Sequence, residues 1–106
     1  MKLRLVAIGS DHGGFALKEA LVAFLESRGI PVKDFGAYSE ESMDYPDTAL
    51  DVAKAVARRK ACCGILVCKT GIGNSIVANK VKGVRAALCY NLKAAVLSRQ
   101  HNNANV

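Results

Sequence analysis

The chain lacks the features that mark several common classes of protein. Its 106 residues contain no tryptophan, only two prolines and few other aromatic residues. No apolar run approaches the length of a membrane-spanning helix, and the first run, residues 3–8, is too short for a signal peptide and leads straight into a polar turn. We therefore expect a single cytoplasmic domain without a membrane partner, long enough to bury one hydrophobic core.

The four cysteines also lack a recognisable framework. Cys62, Cys63, Cys68 and Cys89 have neither the spacing of a zinc site nor that of a C-x-x-C redox pair. All four fall in or beside predicted buried strands, which is typical of reduced thiols. The pattern predicts an intracellular protein without disulfides.

Acidic residues are fewer than basic ones, and the formal net charge is +6. A moderate positive charge attracts small anions such as phosphate esters. The lysines and arginines are scattered, and the only basic run, residues 58–60, lies at a predicted helix end, where it complements the helix dipole. We therefore expect a small anionic ligand and no nucleic acid.

Hydrophobic periodicity predicts a regular alternation of strands and helices. The predicted strands are residues 3–8, 31–35, 65–67 and 84–89, and the predicted helices are residues 15–28, 46–60, 74–80 and 92–100. Leu17, Leu21 and Phe24 belong to the apolar face of the first helix. This alternation predicts a three-layer α/β fold, Rossmann-like or flavodoxin-like, with a parallel sheet of strand order 2-1-3-4 and helices on both faces.

Residues 64–75 are the most informative stretch. A predicted strand runs into Cys68 and a turn that contains Gly71 and Gly73, and a helix follows. Unpaired N–H groups at a helix start bind anions, and a thiol placed there ionises more readily. The alternative is a tight turn without a ligand and a cysteine that belongs to the core.

A second polar turn, residues 10–14, follows the first predicted strand. In the predicted strand order, the first and third strands flank the switch point, where open parallel sheets bind ligands. Asp11, His12 and Cys68 should therefore lie in one neighbourhood. Taken singly, Asp11 and His12 could simply be turn and cap residues.

Several motifs together resemble the type B ribose-5-phosphate isomerases, which belong to a family with allose- and galactose-6-phosphate isomerases. The motifs cover the whole chain in order: residues 9–14 (GSDHGG), 44–47 (DYPD), 68–75 (CKTGIGNS), 78–80 (ANK), 83–87 (GVRAA) and 98–106 (SRQHNNANV). The resemblance implies aldose–ketose interconversion of a phosphorylated pentose through an enediolate, without a metal or another cofactor. It also implies a homodimer with its site at the interface.

The resemblance implies roles for individual residues. Cys68 is the base that moves the proton, Thr70 assists it, and His101 opens the sugar ring. His12 meets the phosphate, and the turn that begins at Gly71 holds the developing oxyanion. The implied substrate-binding residues are Asp11, His12, Tyr45, Gly71, Ile72, Gly73, Asn74, Ser75 and Asn102.

The sequence departs from the family pattern at two places. Lys69 stands where the family usually has glycine, which predicts either a strained turn or stronger anion binding. The family's last strand and its C-terminal helix, whose arginines grip the phosphate, have no counterpart here. Residues 105–106 look like the start of a fifth strand, and Arg85 or Arg99 is a candidate replacement for the missing arginines.

Three other functions remain open. The substrate could be another sugar phosphate, such as allose 6-phosphate, or the chain could bind a phosphosugar without turning it over. A thiol redox protein that uses Cys68 or the Cys62–Cys63 pair is the least favoured, because adjacent residues of a strand point to opposite faces.

Overall fold

The computed structural model describes residues 4–39 and 45–106, except for the side chains of residues 45–47. The main elements in chain order are β1 (Val6–Ser10), α1 (Phe15–Ser27), β2 (Val32–Asp34), α2 (Tyr45–Ala57), β3 (Cys63–Val67), α3 (Ile72–Asn79) and α4 (Leu92–Asn102). A short 3-10 turn, His12–Gly14, joins β1 to α1. None of the helices in this part of the chain has the length and apolarity that crossing a membrane requires.

The three strands form a parallel sheet of order β2-β1-β3. β1 is central, and its Ile8 lies opposite Asp34 of β2 on one side and Ile65 of β3 on the other. The α/β class, the parallel sheet and the order of these three strands are therefore confirmed. The switch point lies between β1 and β3, where both polar turns begin.

The expected fourth strand, residues 84–89, is not a strand in the described structure. Asn105 lies beside β3 instead, because its carbonyl accepts a hydrogen bond from the Gly64 N–H at 2.8 Å. The Asn105 N–H donates to the Arg85 carbonyl at 2.9 Å, and its side-chain Oδ1 accepts from the Arg85 N–H at 2.7 Å. Asn105 therefore occupies the place beside β3 that the order 2-1-3-4 assigns to residues 84–89, and these residues lie on the far side of Asn105.

The helices lie on both faces of the sheet, and the packed core lies on the α2–α3 face. Small residues allow α2 to approach the strands closely: a Cβ on Gly9 would lie 2.4 Å from Thr48 Cγ2, and one on Gly64 would lie 2.7 Å from Val52 Cγ1. The buried core residues on this face are Ala7, Val52, Ala53, Ala55, Val56, Ala61, Ala78 and Val84.

α1 covers the opposite face, and the burial of its side chains differs from what its apolar pattern predicts. Leu17 and Phe24 are 56% and 45% exposed, whereas Lys18 is fully buried. The Lys18 ammonium lies 2.6 Å from Asp34 Oδ2 and 2.8 Å from Glu19 Oε1. Burial lowers the pKa of Lys18, but the hydrogen bonds and charges of Asp34 and Glu19 outweigh it and raise the pKa above 10.5. The ion pair therefore joins α1 to β2 through a buried polar contact.

The Lys18–Asp34 pair is connected to the first polar turn through the backbone. Asp34 Oδ1 accepts a hydrogen bond from the Gly36 N–H at 2.8 Å. The Gly36 carbonyl accepts from the Ser10 N–H at 2.6 Å, and the Ser10 carbonyl accepts from the Ala37 N–H at 2.8 Å. The buried ion pair thus fixes the residue that directly precedes Asp11.

An open cavity of about 1070 Å³, which we call the sheet-face cavity, lies along β3. Its walls come from α1, β3, α4 and residues 86–90, and include Leu21, Ile65, Leu88 and Tyr90. The exposure of Leu17 follows from this arrangement, because it also borders the cavity. One end of the cavity reaches Cys68 and the other reaches Cys62.

Candidate active site

The Cys68 side chain lies at the carboxyl end of β3, beside the start of α3. Its Sγ accepts a hydrogen bond from the Gly71 N–H at 2.9 Å, and the half-buried residue lines the sheet-face cavity. Gly71 precedes α3 with φ 78°, a left-handed conformation that favours glycine. The sulfur therefore faces both an amide hydrogen and an open space.

The hydroxyls of this turn hold the start of α3. Thr70 Oγ1 accepts a hydrogen bond from the Ile72 N–H at 3.2 Å, and the Ser75 hydroxyl donates to the Ile72 carbonyl at 2.8 Å. Because Gly73 and Asn74 lie in the first turn of the helix, their N–H groups have no acceptor within α3. The turn therefore offers an anion both amide hydrogens and a fixed backbone.

The expected strain at Lys69 is absent. Among the described residues other than glycine, only Arg59 and Asn103 have positive φ, so Lys69 adopts an ordinary backbone conformation. Its exposed side chain reaches the other polar turn: Lys69 Cγ and Cε lie 3.0 and 3.2 Å from where a Cβ on Gly13 would be. The lysine thus spans the gap between the two turns.

The first polar turn contacts β3 through its backbone. Asp11 caps the 3-10 turn, with Oδ1 accepting from the Gly14 N–H at 2.8 Å, and its own N–H donates to the Val67 carbonyl at 3.2 Å. A Cβ on Gly14 would lie 2.4 Å from that carbonyl oxygen, so only glycine fits. The two turns are neighbours at the switch point, and the capping role of Asp11 is real.

Three buried polar atoms near these turns have no hydrogen-bond partner within the described residues. They are Ser10 Oγ, His12 Nδ1 and Asn74 Nδ2. Buried polar atoms in native proteins are nearly always hydrogen-bonded, so an unpaired group of this kind calls for an explanation such as a ligand or a water molecule. Asn74 also lines the sheet-face cavity, so its side-chain amide can donate a hydrogen bond to a ligand there.

The structure does not bring every expected residue to one place. Cys68, Thr70, Gly71, Asn74 and Ser75 share the sheet-face cavity, whereas Asp11, His12, Ile72 and Gly73 do not line it. His101, near the end of α4, is exposed and away from it, and Asn102 lines a separate cavity of about 350 Å³. The Tyr45 side chain lies outside the described part of the chain.

The arginines that were candidates for phosphate binding have other partners. Arg85 Nε donates to the Asn103 carbonyl at 2.7 Å, and Arg99 Nη1 donates to the Ala104 carbonyl. Both guanidinium groups therefore hold the backbone that follows α4. The Lys69 side chain reaches across the candidate site to Gly13. In the sequence, the only signal for this lysine was its departure from the family pattern.

The expectation that Cys62 and Cys63 point to opposite faces is wrong. Their Sγ atoms are 3.8 Å apart, and both residues line the sheet-face cavity. The alternation rule does not apply because β3 begins at Cys63, so that Cys62 lies in the preceding bend. Burial and the neighbouring Cys62 raise the pKa of the Cys63 thiol to about 11. Cys89 also differs from expectation, since it is exposed and outside any strand.

No metal centre emerges from residues 4–39 and 45–106. Nowhere in these ranges do three His, Cys, Asp or Glu side chains gather in a way that could hold a metal ion. The donors that surround Cys68 are amide and hydroxyl groups together with the Asn74 side chain. This set suits a negatively charged organic ligand, because amide donors stabilise charge on oxygen.

Comparisons with known proteins agree with the motifs. The family model described as Ribose/Galactose Isomerase matches residues 6–106. Ribose-5-phosphate isomerase B of Escherichia coli is 50% identical over 104 residues, which cover 98% of this chain and 70% of the relative. A putative sugar phosphate isomerase of Rickettsia bellii is 41% identical over 106 residues, covering the whole chain and 74% of that protein.

Solved structures give the same result. Ribose-5-phosphate isomerase B of Clostridium thermocellum superimposes with a TM-score of 0.93 at 52% identity, over 95% of this chain and 68% of that one. The Mycoplasma genitalium enzyme with bound ribulose 5-phosphate gives a TM-score of 0.91 at 43% identity, over 99% and 71% of the two chains. The fold, the turn motifs and these similarities lead to one conclusion: this chain belongs to the ribose/galactose isomerase family.

Proposed function

We propose that this chain interconverts ribose 5-phosphate and ribulose 5-phosphate through an enediolate, with Cys68 as the base. The observation that supports this most directly is the Cys68 sulfur, which lies 2.9 Å from the Gly71 amide nitrogen at the rim of an open cavity. The ribulose 5-phosphate bound to the Mycoplasma genitalium relative supports the same substrate class. The four free cysteines favour the cytoplasm as the compartment. The proposed substrate would place the reaction in pentose phosphate metabolism.

In the proposed reaction Cys68 removes the proton from C2 of the aldose and returns it to C1. Negative charge then develops on the oxygens of the enediolate, where preorganised N–H donors are most effective. The amides of Gly73 and Asn74 and the unpaired Asn74 Nδ2 are available for this charge. Thr70 assists by holding the helix start, since its hydroxyl already accepts from the Ile72 N–H.

We assign the phosphate group to the neighbourhood of the first polar turn. His12 has a buried Nδ1 without a partner among the described residues. Asp11 would bind sugar hydroxyls through the carboxylate oxygen other than Oδ1, which caps the 3-10 turn. Lys69 extends across Gly13 towards the same turn and adds a positive charge. Together His12 and Lys69 offer the phosphate hydrogen-bond donors at this end of the site.

We further propose that two copies of the chain form a homodimer in which His101 and Asn102 complete the site of the other copy. His101 is exposed and does not line the cavity that contains its own Cys68. The two helices that flank the site also expose apolar side chains, which a second copy would cover. These side chains are Ile72 and Ile76 of α3 and Leu92 and Val96 of α4.

The activity is tested by incubating the chain with ribose 5-phosphate and following the appearance of ketose. We expect turnover with ribose 5-phosphate and none with unphosphorylated ribose, because the anion site then has no ligand. Preferential turnover of allose 6-phosphate would change the substrate assignment. Calorimetric binding of ribose 5-phosphate without any turnover would contradict the proposed enzyme and identify a non-catalytic phosphosugar-binding relative.

The shared site is tested by mixing two inactive variants, Cys68→Ser and His101→Asn. If each site takes Cys68 from one copy and His101 from the other, a mixed dimer contains one intact site and one doubly altered site. Random exchange of an equal mixture should then restore about a quarter of the parent activity, since half of the dimers are mixed. A mixture that stays inactive after exchange would place both residues in the same copy's site.

A further inference from the structure

Cys62 and Cys63 form a pair of thiols that the isomerase site does not use. Their sulfur atoms are 3.8 Å apart without a disulfide between them. Cys62 is exposed and Cys63 is half-buried, and both border the end of the sheet-face cavity that is remote from Cys68. Two sulfurs on one side of the backbone, with one of them open to solvent, can be bridged by a single thiophilic atom.

The distance between the sulfurs selects the kind of atom that fits. With metal–sulfur bonds of about 2.3 Å, a sulfur separation of 3.8 Å corresponds to an angle of about 110° at the bridging atom. Soft cations that bind two thiolates in a line would need a separation of about 4.6 Å. A zinc ion would fit the angle but needs further ligands, and the described residues offer no third His, Cys, Asp or Glu near the pair.

Trivalent arsenic suits a bent bridge after a small approach of the two sulfurs, because its three bonds form a pyramid with angles somewhat narrower than this one. It also brings the third substituent itself. In an organic arsenical that substituent is an apolar group bonded through carbon. The cavity beside the two cysteines is lined by apolar side chains, among them Val6, Leu21 and Ile30. We propose that Cys62 and Cys63 form a dithiol site for trivalent organic arsenicals, with the organic group lying in the sheet-face cavity.

The binding step is a condensation without a change of oxidation state. An arsenical of the type R–As=O forms one As–S bond to each cysteine. The arsenic–oxygen bond breaks, and the oxygen leaves as water with the two thiol protons. Because the reaction consumes protonated thiols, the high pKa of Cys63, about 11, is compatible with it. The same pKa slows alkylation of Cys63, which requires the thiolate.

The test uses the full chain and phenylarsine oxide, with excess 2-mercaptoethanol to compete for isolated thiols. Intact-mass spectrometry should find one phenylarsenic group per chain, which a small dithiol such as dimercaptopropanol removes. Cys62→Ser and Cys63→Ser should each weaken retention by about 100-fold, since the second As–S bond becomes intermolecular. Cys89→Ser, at another cysteine that borders the cavity, is the matched control and should bind like the parent.

A second measurement needs no variant and keeps the proposal testable if a serine variant fails to fold. In the unaltered chain, bound phenylarsine oxide should protect the exposed Cys62 from alkylation and leave the exposed Cys89 reactive. The phenyl compound should also bind more tightly than inorganic arsenite, which has no group to bury in the cavity. Retention by the Cys62→Ser/Cys63→Ser double variant, or protection of Cys89 instead of Cys62, would overturn the proposal.

Discussion

Cys68→Ser is expected to lower kcat for ribose 5-phosphate isomerisation by about 1000-fold, the usual size of a general-base contribution. The serine oxygen can still accept the hydrogen bond that the Gly71 N–H gives to the sulfur. Serine cannot take up a proton from carbon at neutral pH, because its hydroxyl ionises far less readily than a thiol. The substitution therefore removes the base and keeps the turn, and steady-state kinetics of ketose formation measures the effect.

Cys89→Ser is the control for this prediction. Cys89 is exposed, and its sulfur lies 3.9 Å from the Ser98 hydroxyl, so its loss should leave the rate within a factor of about two of the parent rate. Thermal unfolding should show that both variants keep the parent fold. A Cys68→Ser variant as active as the parent would exclude Cys68 as the base, even if the chain is an isomerase.

Lys18→Met is expected to lower the free energy of unfolding by about 3 kcal/mol, because it leaves Asp34 without its buried cation. Lys18 is fully buried and the Asp34 side chain is 28% exposed, so the carboxylate is only partly solvated. The lost partner lies 2.6 Å from the carboxylate. Urea unfolding of parent and variant, followed by circular dichroism, gives the difference.

Lys33→Met is the matched control, since Lys33 lies beside Asp34 on β2 but is exposed, and its loss should cost less than about 0.5 kcal/mol. The pH dependence provides a second check. Because the folded-state pKa of Lys18 is raised above 10.5, its contribution is present in full below that pH and is lost as the pH rises through the raised value. The free energy of unfolding of the parent should therefore fall at alkaline pH. The Lys18→Met variant should not show this fall, because it has no ammonium to deprotonate at this position. Equal stabilities at neutral pH would show that the ion pair does not hold α1.

The hydrophobic periodicity of the sequence and its glycine turns predict most of the fold. The four helices lie within a few residues of their expected bounds, because each has an apolar repeat or a clear end, such as the Asn91 side chain that caps α4 by accepting from the Ala94 N–H. The position of Cys68 was predictable as well. A strand that ends before a Gly-x-Gly turn places its next residue at the carboxyl edge of the sheet.

Long-range hydrogen bonds decided what the sequence could not predict. The apolar pattern of residues 84–89 predicts a strand beside β3. Asn105 lies between them and β3 instead, because it forms hydrogen bonds with Gly64 and Arg85. Similarly, the sequence pattern did not identify Lys18 as a buried residue of α1, because its partner Asp34 lies on a distant strand. In each case a polar contact between distant residues decides a feature that the local pattern does not contain.

The uneven distribution of buried residues between the two faces of the sheet has a consequence for motion. Ala7, Val52 and Val56 are packed on the α2 face, whereas no residue of α4 is buried and the sheet-face cavity separates it from α1. Partial opening starts where the fewest apolar contacts must be broken. We therefore expect α4 to open locally at a fraction of the cost of global unfolding, while the sheet and α2 stay intact.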